Sequence, residues 1–222
     1  ATGSNSWVTG GFDTSYNGGE DGFVVKLSPS GGRVWSTYLG GNDSDQPESV
    51  AVDAAGNIYV AGVTWSSGWV SGGPFTIGGH GDGFVVKIAP SGGHAWSTYL
   101  PGFIHPGVGV DAAGNVYVHL ITWSSSSNDH WIMKLSPSGG YLWEQLLGDL
   151  GWTDDTYAVM KPTVAVDNVG NVYVVGTTDC NGWVSGGFDP SYNGGWDGFV
   201  VKITQGPGSL AFWIDSLHSE SL

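Results

Sequence analysis

Cysteine, basic residues and long apolar runs are all scarce in this sequence of 222 residues. The one cysteine, Cys180, has no partner for an internal disulfide, so no bridge framework holds the fold. Six Lys and Arg residues stand against 20 Asp and Glu residues, a net charge of −14. Nucleic acids and anionic membrane surfaces both attract clustered cations, so neither is an expected partner. No apolar run approaches the ~18 residues that a membrane helix needs, which argues against membrane insertion.

Glycine and tryptophan are abundant instead. The chain has 39 Gly and 12 Trp residues, and 40% of its residues are hydrophobic while only 12% are charged. A disordered chain has too few apolar residues to form a core, and this composition is different. No segment has the 3.6-residue apolar period and the caps of a helix. We therefore predict a compact all-β chain that is rich in turns.

Three sequence units recur in the same order along the chain. One unit runs from an aspartate to a lysine, one contains Val-Asp-x-x-Gly-Asn followed by a tyrosine, and one carries a tryptophan after the lysine. The repeated lysines and tryptophans are Lys26, Lys87, Lys134 and Lys202, and Trp35, Trp96, Trp143 and, displaced by two residues, Trp213. We expect the lysines to be ion-paired and structural, and the tryptophans to pack between repeats.

Each full repeat predicts four short antiparallel strands, the unit of a β-propeller blade. In the second repeat the strands cover 49–53, 58–62, 83–89 and 94–100, joined by Gly-Asn and Pro-Ser-Gly-Gly turns. The prediction is a single all-β propeller region over 1–222 with about four blades. Blade 1 is partial at 1–41, and blades 2, 3 and 4 cover 42–101, 102–150 and 151–222. The same pattern fits an open arc or part of a larger ring.

The two ends of the chain predict an incomplete first blade. Residues 1–4 align with the end of a second strand, and residues 220–222 align with residues 48–50 at the start of a first strand. The chain is interpreted as part of something longer, as a ring closed by its own ends, or as half a ring completed by another copy. An open blade edge has unpaired backbone groups, so we expect another protein or a second copy to bind there.

Residues 51–60, 82–92 and 96–100 together resemble the SBBP-type bacterial β-propeller repeat family. These segments read AVDAAGNIYV, DGFVVKIAPSG and WSTYL, and their copies recur over nearly the whole chain. The resemblance implies a secreted or cell-surface protein built from propeller blades, and it implies no catalytic activity. The chain departs from the pattern at the truncated first repeat and at the short loop between the second and third strands of blade 3.

Aromatic residues in Gly- and Ser-rich loops are candidates for binding a sugar or a protein partner. A flat aromatic face beside amide and carboxylate groups can hold a sugar ring, and equivalent sites on several blades add avidity. The alternative is that these loop residues cap the ends of the blades. The candidates are Trp7, Trp69 and Trp183, Tyr16 and Tyr192, Asn17 and Asn193, and Trp65 and Trp123.

One acidic loop is a candidate metal site. Asp43, Asp45 and Glu48 place three carboxylates within six residues, and oxygen-rich clusters suit Ca²⁺. The spacing is not that of a twelve-residue calcium loop, so a solvated acidic loop is the alternative. The prediction is that the protein has no cofactor, with calcium at this loop as the alternative.

Three of the six histidines, His105, His119 and His130, fall in the third blade. His119 together with Asp129 is a candidate metal site or acid–base pair, against the alternative that this blade has simply diverged.

Nucleophilic catalysis has no support, because the chain lacks a Gly-x-Ser-x-Gly elbow before a helix. We therefore predict no catalytic residues and no enzyme. The leading hypothesis is an extracellular or cell-surface structural or adhesion module that makes protein–protein or self-assembly contacts. The alternative is a multivalent carbohydrate-binding propeller.

Overall fold

The structure is a computed structural model that describes residues 2–3, 7–122, 129–149, 163–178, 191, 197–206 and 209–217. Within these residues the fold is built from β-strands in four antiparallel sheets. The first sheet contains β1 (Gly22–Leu27) and β2 (Arg33–Leu39). The second contains β3 (Asp45–Val52), β4 (Ile58–Thr64), β5 (Asp82–Ile88) and β6 (His94–Leu100). The third contains β7 (Phe103–Val110), β8 (Val116–Thr122), β9 (Asp129–Leu135) and β10 (Tyr141–Asp149). The fourth contains β11 (Thr163–Val166), β12 (Val172–Thr178), β13 (Asp197–Gly206) and β14 (Ser209–Leu217).

The predicted strands of the second repeat agree with β3 to β6 to within two residues, except at the start of β3. Strand β3 begins at Asp45 rather than at Ser49, because its pairing with β4 continues past a register shift between Pro47 and Ser49. Proline has no N–H to donate to a regular ladder, and a β-bulge accommodates it. Strand β7 has its own register shift between Ile104 and Gly107, which includes Pro106. Alternation of side chains alone did not predict strands that continue through a bulge.

The hairpin between the first and second strands of a sheet has one repeated device. In the second sheet, the Asp53 carboxylate accepts hydrogen bonds from the Asn57 backbone at 2.8 Å, the Asn57 amide at 2.7 Å and the Tyr59 hydroxyl at 3.0 Å. Burial alone would raise the pKa of Asp53, but these hydrogen bonds outweigh it and lower that pKa. The third and fourth sheets repeat the arrangement at Asp111 and Asp167. These repeated aspartates therefore have a structural role in the hairpin turn.

The sheets pack face against face in chain order. Strand β7 packs on β3, β4 and β5 of the preceding sheet, and β11 packs on β7 and β8. Buried residues of adjacent sheets form shared cores, such as the one that joins Tyr59 and Ala61 of β4 to Val108 of β7. Among the described strands, extensive packing links only consecutive sheets, and the last sheet does not close onto the first. The predicted propeller architecture is confirmed in the form of an open arc.

The tryptophan predicted in the last repeat takes its expected place in the pairing register. Trp213 lies opposite Lys202, as Trp35 lies opposite Lys26 and Trp96 opposite Lys87. The last hairpin is longer by two residues because β13 and β14 continue pairing to Gly206 and Ser209. In the part of the chain that is described, no helix has the length and apolar character to cross a membrane.

Candidate functional site

Two of the candidate loop tryptophans close the ends of their sheets. The Trp69 indole nitrogen donates to the Thr64 hydroxyl at 3.1 Å, and its ring lies edge-on to Phe84 at 5.1 Å between centroids. Trp7 has the same edge-on contact with Phe23, also at 5.1 Å. Both indoles are half-buried. Their geometry fits the capping alternative better than a fully presented aromatic platform.

A cleft of about 640 Å³ nevertheless places two of the candidates together. It lies between loops of the first and second sheets, and its walls include Phe12, Asp13, Asn17 and Trp69. The exposed Asn17 amide donates to the Asp13 carboxylate at 3.0 Å. The cleft therefore combines one carboxylate, one amide and the accessible part of an indole, which are groups that bind polyhydroxylated ligands.

The remaining sugar-site candidates lie elsewhere. The Tyr16 hydroxyl donates to the Gly19 carbonyl and its ring contacts Tyr38 edge-on at 6.1 Å, so this tyrosine also packs against the end of a sheet. Trp65 is 38% exposed and does not line the cleft. The other candidates, which lie outside the described residues, are Trp123, Trp183, Tyr192 and Asn193.

The structure does not bring the three candidate calcium ligands together. Asp45 is fully buried and accepts hydrogen bonds from the Thr64 and Ser66 hydroxyls and from the Gly41 backbone. Burial raises the pKa of Asp45, although these hydrogen bonds partly offset it. Asp43 is exposed and accepts from the Ser44 backbone at 2.8 Å. Glu48 lies across the sheet boundary from His105, with an Nδ1–Oε1 distance of 3.0 Å. Within the described ranges, no three His, Cys, Asp or Glu side chains form a group that could hold a metal ion.

The partner of His119 is His130, and not Asp129 as the sequence had suggested. Nε2 of His119 lies 2.9 Å from Nδ1 of His130, and both rings are buried. The His130 ring also lies edge-on to Phe199 of the fourth sheet, at 5.8 Å between centroids. Asp129 instead bonds through its backbone nitrogen to the Thr122 hydroxyl at 3.2 Å. Burial lowers the pKa of His130 to about 3 and lowers that of His119 well below its usual value. Two histidines on one face of adjacent strands were the available signal for this pair.

The repeated lysines and tryptophans join neighbouring sheets. The Lys87 ammonium and the Trp96 indole nitrogen both donate to the Pro137 carbonyl of the next sheet, at 2.9 and 3.1 Å. Lys26 and Trp35 bond in the same way to Pro90, at 2.9 and 3.0 Å. We name this arrangement the Lys–Trp staple. The expectation that these lysines are ion-paired was wrong for Lys26 and Lys87, because a backbone carbonyl at the turn supplies the acceptor.

Each staple closes over a glycine. Gly92 and Gly139 have φ angles of 91° and 89°, and added Cβ atoms would lie 3.1 and 2.8 Å from the rings of Trp35 and Trp96. Only glycine combines this backbone conformation with so close an indole. The Pro-Ser-Gly-Gly sequence therefore serves the packing of two sheets as well as the turn itself.

The inner edge of β1, which is the edge that faces away from β2, differs from the matching edge of β5. Strand β5 pairs with β4 on one side and β6 on the other, whereas among the described strands β1 pairs along its length only with β2. In the described residues, the inner edge of β1 carries a single bridge, between Thr2 and Asp21. Thr2 thereby takes the place that Thr64 has opposite Asp82. We name the uncovered edge from Gly22 to Leu27 the open edge.

The neighbouring sheet is uncovered at the same place. Val50 and Val52 of β3 are 64% and 59% exposed. Their counterparts in later sheets are covered, since Val108 is 3% exposed and Val164 is 7% exposed. Strand β3 packs near β1, whereas β7 packs on both β3 and β4 of its neighbour. The open edge and these two exposed valines lie on neighbouring strands, and we name this uncovered surface the hairpin slot.

These features define the chain as an open-arc β-propeller held by repeated staples. Residues 34–68, from β2 to the loop after β4, match the family model of the SBBP β-propeller repeat. The chain thus carries an SBBP β-propeller repeat, which confirms the resemblance noted in its sequence. No curated protein matches the chain.

Proposed function

We propose that this chain is a non-catalytic structural or adhesion module of the cell surface or extracellular space. It makes protein–protein contacts, including self-assembly contacts, through the hairpin slot. One observation carries the proposal: Val50 and Val52 are exposed beside β1, and within the described part of the chain β1 pairs with a strand on one edge only. An apolar surface next to unpaired backbone groups favours the addition of strands from another chain.

The net charge of the chain favours a specific contact over non-specific association. A net charge of −14 keeps copies apart in solution, so association requires a specific surface that overcomes this repulsion. The resemblance to SBBP repeats supports the surface location. Protease treatment of intact source cells tests this location. We expect the protein to be cleaved without lysis, and full protection would contradict the proposed location.

Light scattering over a range of concentrations tests the proposed contact. We expect the mass of the wild-type chain to rise above 23.2 kDa with concentration. Val52→Asp places a charge in the slot and should keep the chain at 23.2 kDa. Val34→Asp is the matched control, because Val34 is 55% exposed on β2, away from the open edge. A wild-type mass that stays constant, or one that falls equally in both variants, would contradict the proposal.

Carbohydrate binding is the second candidate function, and the cleft that contains Asp13, Asn17 and Trp69 favours it. Titration with a panel of soluble glycans, followed by tryptophan fluorescence, provides the test. We expect a saturable change that Asn17→Ala removes and Asp43→Ala preserves, since Asp43 lies outside the cleft lining. An unchanged response in Asn17→Ala would place any binding elsewhere and remove this candidate.

The proposal includes no metal cofactor. The separation of Asp43, Asp45 and Glu48 onto different partners supports that view. Repeating the light-scattering series with excess chelator tests it directly. We expect the same masses with and without chelator, and a shift on chelation would instead support calcium at the acidic loop.

A further inference from the structure

The cleft between the loops of the first and second sheets has a charge that describes its ligand. Among the described residues that line it, Asp13 is the one charged side chain. We propose that the cleft binds a protonated amino sugar, with the ammonium group at the Asp13 carboxylate and the sugar ring against Trp69. This inference rests on the second candidate function, carbohydrate binding, and specifies the class of sugar at the same site.

A buried carboxylate lies behind the wall of the cleft that Gly40 and Gly41 form. The Gly41 backbone donates to the Asp45 carboxylate at 3.0 Å, and a Cβ added at Gly40 would collide with that carboxylate. Both glycines line the cleft, and Asp45 is fully buried. Water screens the charge of a buried group only weakly, so Asp45 adds to the negative potential of the cleft.

A second buried carboxylate lies behind Asn17. The Asn17 backbone donates to Oδ2 of Asp21 at 2.9 Å, and Asn17 lines the cleft. Asp21 is fully buried, and in the described part of the chain its Oδ1 has no hydrogen-bond partner. Burial is the main cause that raises the pKa of Asp21, and the charges of Asp45 and Asp13 add to it. A buried carboxylate oxygen without a donor is unfavourable, and a cation close by offsets that cost.

The second sheet shows how this carboxylate is satisfied elsewhere. Asp82 has the place of Asp21, and its Oδ1 accepts from the Gly102 backbone at 2.8 Å. The glycine at the same position of the first sheet is Gly41, which donates to Asp45 instead. Two buried carboxylates therefore lie beside one glycine donor at the cleft. The second sheet has one carboxylate for the equivalent donor.

None of the positively charged side chains in the described part of the chain lines the cleft. Three of them donate to backbone carbonyls, namely Lys26, Lys87 and Arg33. Two lie over tyrosine rings of the third and fourth sheets, namely Lys134 and Lys202. The three carboxylates at the cleft are thus without a described cation, and together they attract a positively charged ligand.

The cleft has the size of an organic ligand. Its volume is about 640 Å³, and within the described ranges no three His, Cys, Asp or Glu side chains converge as a metal ion requires. Phe12 and the accessible part of Trp69 supply aromatic surface, which attracts both a cation and a sugar ring. The exposed Asn42 and Ser67 are available to the hydroxyl groups of the ligand. A protonated amino sugar matches the charge, the aromatic surface and the polar groups together.

Calorimetric titration of the full chain with two matched trisaccharides tests the inference. One is a trimer of glucosamine, and the other is its fully N-acetylated form, which has the same rings without the charge. At about pH 6 we expect the free-amine trimer to bind about ten-fold more tightly than the acetylated trimer. Asp13→Asn preserves the shape of the side chain and should reduce this preference to about two-fold. Equal binding of the two trimers by the wild-type chain would overturn the inference.

Two further variants separate the cleft from the net charge of the chain. Glu144→Gln removes the same charge from an exposed position on β10 and should leave the preference unchanged. Asn17→Asp adds a carboxylate to the cleft and should raise the preference about three-fold. Each preference is a ratio of two affinities for one protein, so partial unfolding of a variant does not alter it. Equal loss in Asp13→Asn and Glu144→Gln, or a fall in Asn17→Asp, would overturn the inference.

The acetylated trimer separates this inference from carbohydrate binding itself. If both trimers bind equally and Asn17→Ala removes the binding of both, carbohydrate binding is supported and the amino-sugar inference is wrong. If neither trimer binds and the glycan panel also gives no response, both are contradicted. Tighter binding of the free-amine trimer, with the preference reduced in Asp13→Asn, supports both.

Discussion

The boundary between the first and second sheets can be compared with the boundary between the second and third. Their outer parts, which involve the last two strands of a sheet, are alike, since each has a Lys–Trp staple to a proline carbonyl in the next sheet. Their inner parts, which involve the first two strands of a complete sheet, differ, because Val108 is 3% exposed and Val50 is 64% exposed. The staple therefore forms without the inner strands. A core is still present at the first boundary, since Trp35 and Leu39 pack with Ile58. What the inner strands add is the part of the core around Val108, which has no counterpart around Val50 among the described residues.

The largest expected effect comes from placing a charge at each boundary. Val108→Asp should lower the free energy of unfolding by about 4 kcal/mol, since it buries a carboxylate without a partner. Val50→Asp should change it by less than about 0.5 kcal/mol, because the side chain stays in water. Urea denaturation measures both. Equal losses would mean that the two boundaries are covered to the same extent.

Acid should destabilise the third sheet more than the second. The pKa values of His119 and His130 are lowered in the folded state, so the unfolded chain binds more protons as the pH falls below about 6.5. Each histidine then removes roughly 1 kcal/mol of stability per pH unit. The double variant His119→Ala and His130→Gly places in the third sheet the residues that occupy the matching positions of the second sheet, Ala61 and Gly83.

Denaturation at pH 7.5 and pH 5.5 measures this difference. We expect the wild-type chain to lose roughly 2–3 kcal/mol between the two pH values, and the double variant to lose much less. Asp53, Asp111 and Asp167 also lose stabilising hydrogen bonds on protonation, but their lowered pKa values place that loss below this window. The same pH dependence in both proteins would show that other groups control acid sensitivity.

A pair of glycines tests the close contact in the staple. Gly139 lies under Trp96 and has a φ of 89°, whereas Gly31 has a φ of 84° and no atom within 4 Å of its added Cβ. Gly31→Ala should cost about 1 kcal/mol through backbone strain alone. Gly139→Ala should cost about 2–3 kcal/mol, because the methyl group also displaces the indole. Thermal or urea unfolding gives both values, and an equal cost would remove the contact from the account.

The smallest expected effect tests the similarity of the outer parts. Trp35→Phe and Trp96→Phe each remove one hydrogen bond to a proline carbonyl, and each should cost about 1 kcal/mol or slightly more. The two costs should agree within experimental error. A clearly larger cost at Trp96 would mean that the staple depends on the inner strands after all.

The sequence predicted the repeated parts of this fold well, because periodic constraints leave periodic residues. Asp53, Asn57 and Tyr59 recur together since one carboxylate accepts from both of the others. The spacing of Lys87 and Trp96 likewise recurs because both donate to one oxygen. The oxygen itself belongs to the next sheet, and no local pattern identifies it. The lysines were therefore expected to pair with carboxylates.

The candidate sites were harder to predict, for the same reason. Asp43, Asp45 and Glu48 are close in sequence, but a strand alternates its faces and a bulge changes the alternation. Asp45 therefore bonds within its own sheet while Glu48 faces His105 in the next. The cleft arises where Asn17 and Trp69 of two different loops meet. The hairpin slot was expected only as an open blade edge, and the exposed valines were visible only once β3 had been placed beside β1.

Amide hydrogen exchange of β1 and β5, measured on the same sample by NMR, tests the central claim most directly. We expect residues 23–27 to exchange much faster than residues 84–88, because among the described strands β1 is paired on one edge and β5 on both. Equal protection of the two strands would contradict the open edge and, with it, the hairpin slot.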